Sequence, residues 1–205
     1  MDCCVNGDFC GLWGSEDPDD PVAAKSRTGH VILLAGCPLV WKSTLQTETS
    51  ASMMMAEHVA LSSAMREMLP LKRLVESIAE VVTQDPKVKM TAKSDMFEDN
   101  NGALSLAALP KITPQSKFFA VKLHFFKERV KTAANPDGEI HIQKAESSLN
   151  LADLFTKGVV EAKFVPLRDK LMGWDLNRSN PDSRGSVGVS RQAPPSVLLA
   201  LTEEL

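Results

Sequence analysis

The chain has no tyrosine, only 5% aromatic residues and just four cysteines among its 205 residues. No apolar run reaches the roughly eighteen residues that a membrane-spanning helix needs, so such a span is excluded. A dominant charge is also missing. Twenty-three basic against 26 acidic residues leave −3, which argues against wholesale coating of nucleic acid but not against a local basic groove. The start, Met1-Asp2-Cys3-Cys4, lacks the basic segment and long apolar stretch of a secretory leader. An intracellular protein, cytoplasmic or nuclear, is therefore expected, with reduced thiols. Cys3, Cys4 and Cys10 lack the paired spacing and histidines of a zinc site, so buried free thiols are expected. What is present is a globular mixture, 43% hydrophobic and 24% charged. The length fits one domain, or one domain with a tail.

Residues 1–9 are short and mixed, compatible with the edge of a strand. Glu16-Asp17-Pro18-Asp19-Asp20-Pro21 makes residues 14–20 an acidic, proline-broken loop. Thr28-Gly29-His30-Val31-Ile32-Leu33-Leu34-Ala35-Gly36 is β-rich, and Pro38-Leu39-Val40-Trp41-Lys42-Ser43 follows at once, which predicts a hairpin. Three strands are expected in the first 45 residues. Over residues 52–82 the period becomes helical, with Met53, Met54, Ala60, Leu61, Ala64 and Met65 as a buried stripe. Pro70 should kink or split this helix, leaving a second piece through Leu71, Leu74, Val75, Ile78 and Val81. Residues 87–97 read as a strand ending at Glu98-Asp99, and Asn100-Asn101-Gly102 turns the chain into a short helix over 103–109. Pro114 opens a further helix through Val130, and Asn135-Pro136-Asp137-Gly138 is a turn. Residues 139–143 alternate as a final strand, followed by helical pieces over 150–157 and 161–172. This order predicts a mixed α/β layer domain over residues 1–174. Beyond it, residues 175–205 read as a disordered tail, because 177–195 carry Asn, Ser, Gly, Pro and Arg without periodicity.

Three acids stand where bland surface acids should not. On a helix the neighbours of Glu57 at three and four residues are Met53, Met54, Ala60 and Leu61, the middle of the apolar stripe. A carboxylate there must be paired, protonated or bound to metal, unless the helix start frays and leaves it wet. Asp99 falls at the carboxyl end of a strand, where α/β sheets gather ligands, and reads equally as a helix N-cap. Asp153 sits in Leu151-Ala152-Asp153-Leu154-Phe155, buried or on one exposed face of a short helix. Together they suit a hard cation such as magnesium, which takes oxygen ligands.

Seven segments carry a family resemblance: Asp8-Phe9-Cys10-Gly11, Ser26-Arg27-Thr28-Gly29, Pro38-Leu39-Val40-Trp41-Lys42-Ser43, Ala56-Glu57-His58-Val59-Ala60-Leu61, Asp99-Asn100 with Ala103, His124-Phe125, and Leu151-Ala152-Asp153-Leu154-Phe155-Thr156-Lys157. In this order, over residues 5–174, they resemble the ribonuclease H domain at the C-terminal end of copia-type retrotransposon polyproteins. The resemblance implies a ribonuclease H-like α/β fold, a mixed central sheet of about five strands flanked by helices. It also implies cleavage of the RNA strand of RNA–DNA hybrids, with four acids holding two magnesium ions. By position those acids are Glu57, Asp99 and Asp153, while the first-strand acid falls on Asn6. An amide offers one neutral oxygen where a bridging carboxylate is expected. Asp8 keeps the pattern's second acid and shares a strand face with Asn6, but substituting for it needs a shift of roughly 6–7 Å. Met55 replaces a further Glu, His30 and His58 stand at usual tyrosine positions, and Phe118 and Ala120 replace a His and an Asp. These departures imply a decayed or repurposed copy.

Gly36-Cys37-Pro38-Leu39-Val40-Trp41-Lys42-Ser43 imitates a phosphate-binding loop, but Trp41 stands where glycine must precede the lysine. Residues 111–131 hold five lysines and one arginine against one acid. On a helix His124, Lys127 and Lys131 share one face, opposite Phe119, Phe126 and Val130, and that face is either solvated or a sequence-blind contact for hybrid phosphates. The first reading is thus a ribonuclease H domain separated from its reverse transcriptase polymerase, weak or inactive, with one magnesium ion or none and no membrane partner. The second is a catalytically dead nucleic-acid-binding or structural module using the basic helix. The third is an active nuclease in which Asp8 replaces Asn6.

Overall fold

The short mixed segment at the start of the chain becomes the centre of a five-stranded sheet rather than its fringe. The computed structural model describes residues 1–10, 24–83, 91–108 and 120–174. Strand β1 (Asp2–Asp8) pairs antiparallel with β2 (Arg27–Leu34), which pairs antiparallel with β3 (Cys37–Leu45). On its other side β1 runs parallel to β4 (Asp95–Glu98), and β4 parallel to β5 (His141–Lys144), giving the order β3-β2-β1-β4-β5. The expected mixed sheet of five strands flanked by helices is therefore what the chain forms. The acidic loop at 14–20, the first residues of the expected strand at 87–97, the opening of the helix at Pro114 and the tail lie outside the described residues.

The hairpin forms as the sequence implies. Ala35 and Gly36 take φ of 52° and 80°, the left-handed pair that a two-residue turn between Leu34 and Cys37 requires. Helix α1 (Met53–Thr83) follows, and Pro70 does not split it. Pro70 is exposed, so water can satisfy the carbonyl that its missing N–H would have bonded. Met53 is 57% exposed and not part of the stripe, which starts at Ala56. The far half of α1 runs past the sheet, and Leu74, Ile78 and Val81 are exposed there.

Strand β4 is shorter than the expected 87–97. A parallel ladder needs a partner, and β1 offers none before Asp2, which is opposite Asp95. Asn100 then starts α2 (Asn101–Ala108), its Oδ1 accepting from the N–H groups of Gly102 and Ala103 at 2.8 and 3.1 Å. Helix α3 (Ala120–Arg129) precedes β5, the expected helix at 150–157 is a 3-10 turn (Leu151–Phe155), and α4 (Glu161–Leu171) follows. On one face of the sheet Cys3, Val5, Ile32 and Met96 pack with Leu61, Met65 and Met68 of α1 and Phe126 of α3. On the other, Val31 and Leu33 pack against Leu151 and Leu167. Alternation along β1 thus sends Val5 and Gly7 towards α1, and Cys4, Asn6 and Asp8 towards the 3-10 turn and α4.

Candidate functional site

Strands β1 and β4 are parallel neighbours, β1 runs on to Asp8 past the end of β4 at Glu98, and the first turn of α1 and the 3-10 turn close on that edge from opposite faces. A cavity of about 240 Å³ lies there, with Asn6, Gly7, Asp8, Glu57, Asp99 and Lys157 among its walls. Strand ends of this kind are where α/β sheets gather ligands.

Glu57 is held by close backbone approach. A Cβ on Gly7 would lie 2.6 Å from the carbonyl carbon and oxygen of Ala56, so only glycine lets α1 sit this low on β1. The Gly7 N–H then donates to Glu57 Oε2. Glu57 is buried at 5% exposure, which removes the frayed-end reading. Burial above all, helped by the charges of Asp99 and Asp153 and opposed by the Gly7 N–H and Lys157, pushes its carboxyl up to about 8.

Asp99 is half-buried, and Asn150 Nδ2 lies 3.4 Å from its Oδ1. The capping role open to Asp99 falls to Asn100 instead. One residue earlier stands Glu98, which the sequence reading passed over. It is fully buried, its Oε1 accepts from the Asn100 N–H at 3.0 Å, and Oε2 has no hydrogen-bond partner among the described residues. Burial, then the charge of Glu57, pushes Glu98 up to about 9. One oxygen each of Glu57, Glu98 and Asp99 lies within 4.8 Å of the others. The signal for Glu98 was strand period two, which puts it on the core face with Met96.

Asn6 and Asp8 both line the cavity. Asn6 is buried and its Nδ2 donates to Thr156 Oγ1 at 2.5 Å. Burial raises the Asp8 carboxyl, with Asp153 adding to the effect and Lys157 and Arg27 opposing it. Asp153 is fully buried, so the exposed-face alternative fails. Its Oδ1 lies 2.7 Å from Lys157 Nζ and its Oδ2 2.5 Å from Lys163 Nζ. Lys157, not Asp153, is among the cavity walls. Burial works to lower that ammonium, but the bond to Asp153 and the charges of Asp153, Asp99 and Asp8 outweigh it and hold it above its ordinary value. Sequence reasoning quoted Lys157 only as the end of a motif, without a role, and missed Lys163, which arrives from another helix. Asn150 was also missed. It accepts from the Ala152 N–H at 3.1 Å and donates to the Val5 carbonyl at 2.9 Å, pinning the 3-10 turn to β1.

Of the basic set, His124 is exposed and Lys127 half-buried on α3. Lys131 is exposed but lies past the helix end, its N–H bonded to the Ile140 carbonyl at 2.8 Å. The single helical face of three therefore reduces to His124 and Lys127, because the bridge of Val130 to Ile140 ends the helix first. Lys42 and Ser43 lie on β3, with Lys42 paired to Glu67 at 2.5 Å, so no phosphate loop forms. The thiols are free, but only Cys3 is fully buried, and Cys10 is exposed on its turn.

The molecule is thus an α/β protein with a mixed five-stranded sheet and a carboxylate-rich cavity at the ends of its parallel strands. No family model matches the chain. It is 28% identical over 180 residues, 86% of its length, to the retrovirus-related Pol polyprotein from transposon TNT 1-94 of Nicotiana tabacum. It is 25% identical over 155 residues to the corresponding polyprotein from transposon RE1 of Arabidopsis thaliana. Its homologues are retrovirus-related Pol polyproteins of copia-type transposons, as the sequence resemblance implied. The chain spans only 12% and 10% of these relatives' length. Among solved structures, the N-terminal RNase H domain of a Mycobacterium tuberculosis protein, fused to maltose binding protein, aligns at TM-score 0.46 and 11% identity, covering 86% of this chain and 96% of that one. No helix among the described residues is long and apolar enough to cross a membrane.

Proposed function

We propose that this chain is a ribonuclease H domain derived from a copia-type retrotransposon, built to hydrolyse the RNA strand of RNA–DNA hybrids and impaired at its metal site. The observation that carries the reading is Asn6. It occupies the β1 position of the cavity that Glu57 and Asp99 also line, and its amide nitrogen donates to Thr156. The donors fit a hard divalent cation, since carboxylate oxygens converge there and one buried oxygen has no hydrogen-bond partner among the described residues. Glu57 and Asp99 would hold magnesium, which when bound supplies an activated water and stabilises the leaving oxygen. A full two-ion set does not fit, because Asp153 is neutralised by Lys157 and Lys163 and Asn6 carries no charge.

The chain's own groups divide the remaining work. Gly7 orients Glu57, and Asn150 holds the 3-10 turn against β1 beside Asp99. Lys157 presents a positive charge at the cavity wall, suited to a phosphate of the hybrid backbone. His124, Lys127 and Lys131 supply a further basic region, on and just beyond α3, for the same sequence-blind contact. A polymerase domain of a reverse transcriptase is the partner that the polyprotein homologues suggest. A second reading, a catalytically dead nucleic-acid-binding module, is favoured by the double ion pair on Asp153.

Cleavage of an RNA–DNA hybrid in millimolar magnesium tests this. The unmodified chain should cut near background, and Asn6→Asp should raise the rate by about tenfold or more. Robust cutting by the unmodified chain would refute the impaired site and favour Asp8 as substitute. Retained hybrid binding with no cutting by either form would favour the binding module, and Met55, Phe118 and Ala120 would be the next positions to restore.

A further inference from the structure

The carboxylate missing from β1 has a counterpart on the neighbouring strand. Glu98 stands one residue past the last pair of the parallel ladder, Cys4 with Phe97, at the same sheet end as Asn6. Being two residues from Met96, its side chain lies on the α1 face, where Glu57 descends from the helix. Three features then coincide. Glu98 is fully buried, so its charge is not dispersed by water. One of its oxygens is fixed by the Asn100 N–H at 3.0 Å, which orients the group. Its other oxygen has no hydrogen-bond partner among the described residues, yet a ligand atom of Glu98 lies within 4.8 Å of oxygens on both Glu57 and Asp99. Buried carboxylate oxygens are ordinarily paired, and three acids this close repel one another unless something positive lies among them. The ammonium of Lys157 shares the cavity wall with Glu57 and Asp99 and offsets part of their charge, but it is bonded to Asp153.

We infer that Glu98 is a ligand for a divalent cation, and that it supplies from β4 the negative charge that Asn6 fails to supply from β1. This rests on the metal-dependent reading above and deepens it. Glu57, Glu98 and Asp99 form a single-cation site at the sheet end, while Asp153 is satisfied internally by Lys157 and Lys163. Three carboxylates of hard oxygen donors suit Mg2+ or Mn2+ over softer metals. The competing occupant of the same space is a proton shared between Glu57 and Glu98.

Calorimetric titration of the full chain with MnCl2 separates these, supported by the electron paramagnetic resonance signal of free Mn2+. Glu98→Gln keeps the length of the side chain and imitates a protonated carboxyl, so a folded variant is expected, and circular dichroism checks it. Glu98→Met is a second uncharged variant of similar length, should the amide disturb folding. The unmodified chain should bind one Mn2+, and Glu98→Gln should weaken binding tenfold or more. Adding Asn6→Asp to Glu98→Gln should recover much of that loss, as replacement of one charge by the other requires. Unchanged affinity in Glu98→Gln, alongside weakened binding in Glu57→Gln and Asp99→Asn, would overturn the role of Glu98 and leave the metal site standing. A double variant without recovery would overturn the substitution for position 6. Absence of binding, or indifference to Glu57→Gln and Asp99→Asn as well, would remove the metal-dependent reading itself.

Discussion

Replacing Gly7 with alanine tests the geometry on which the site depends. Its new Cβ would come within 2.6 Å of the Ala56 carbonyl carbon and oxygen and 2.7 Å of the Glu57 nitrogen, all of them main-chain atoms. Carbon contacts settle at about 3.5–4.0 Å, so β1 and the start of α1 would have to part by roughly 1 Å. A rotamer change cannot relieve this, because the obstacle is backbone on both sides. Overpacking of this kind costs about 1–3 kcal/mol, and loss of the Gly7 hydrogen bond to Glu57 adds about 1 kcal/mol. For a domain of this size about 2–4 °C accompanies each kcal/mol, so the melting temperature should fall by roughly 5–15 °C. Gly158 is the control, since a Cβ there meets nothing within 4 Å. Gly158→Ala should melt within about 1–2 °C of the unmodified chain, the ordinary range for a surface change. Thermal melts followed by circular dichroism would read both. A Gly7→Ala chain that melts like the Gly158→Ala control would refute the close approach, and with it the placement of Glu57.

Two further outcomes are expected. Burial, and then the charge of Lys127, holds the His58 imidazole down at about 4, while the unfolded chain protonates it near 6.5. Between those values the unfolded state binds the extra proton, so stability measured against His58→Gln by urea unfolding should fall as pH drops from 7 to 4, by up to about 3 kcal/mol. A difference that stays constant with pH would show that His58 is not buried as neutral imidazole. Deleting residues 177–205, whose composition is poor in buriable apolar groups, should leave the melting temperature unchanged within error, and a large drop would show that Val197 to Leu201 docks on the domain.

Much of the local structure was legible because it repeats at short range. The hairpin follows from β-rich runs separated by Ala35-Gly36, and the inward placement of Glu57 follows from its apolar neighbours three and four residues away. Proline misled at position 70, because its effect depends on whether the released carbonyl meets water, and there it does. The length of β4 was overestimated because a strand extends only as far as its partner, and β1 begins at Asp2.

The sequence by itself determined the class of domain, the alternation of its elements and the likeness to the polyproteins, and it drew attention to Asn6. These depend on residue order and on periodicities spanning a few positions, which neighbouring side chains set directly. Only the tertiary structure decided what surrounds the acids. Asn6 meets Thr156 across 150 residues, Lys163 reaches Asp153 from α4, and Glu98 turns towards Glu57 because β4 is in parallel register with β1. Such contacts follow from strand pairing and from how closely glycine lets a helix approach a sheet, and no local pattern encodes the distance between groups so far apart in the chain.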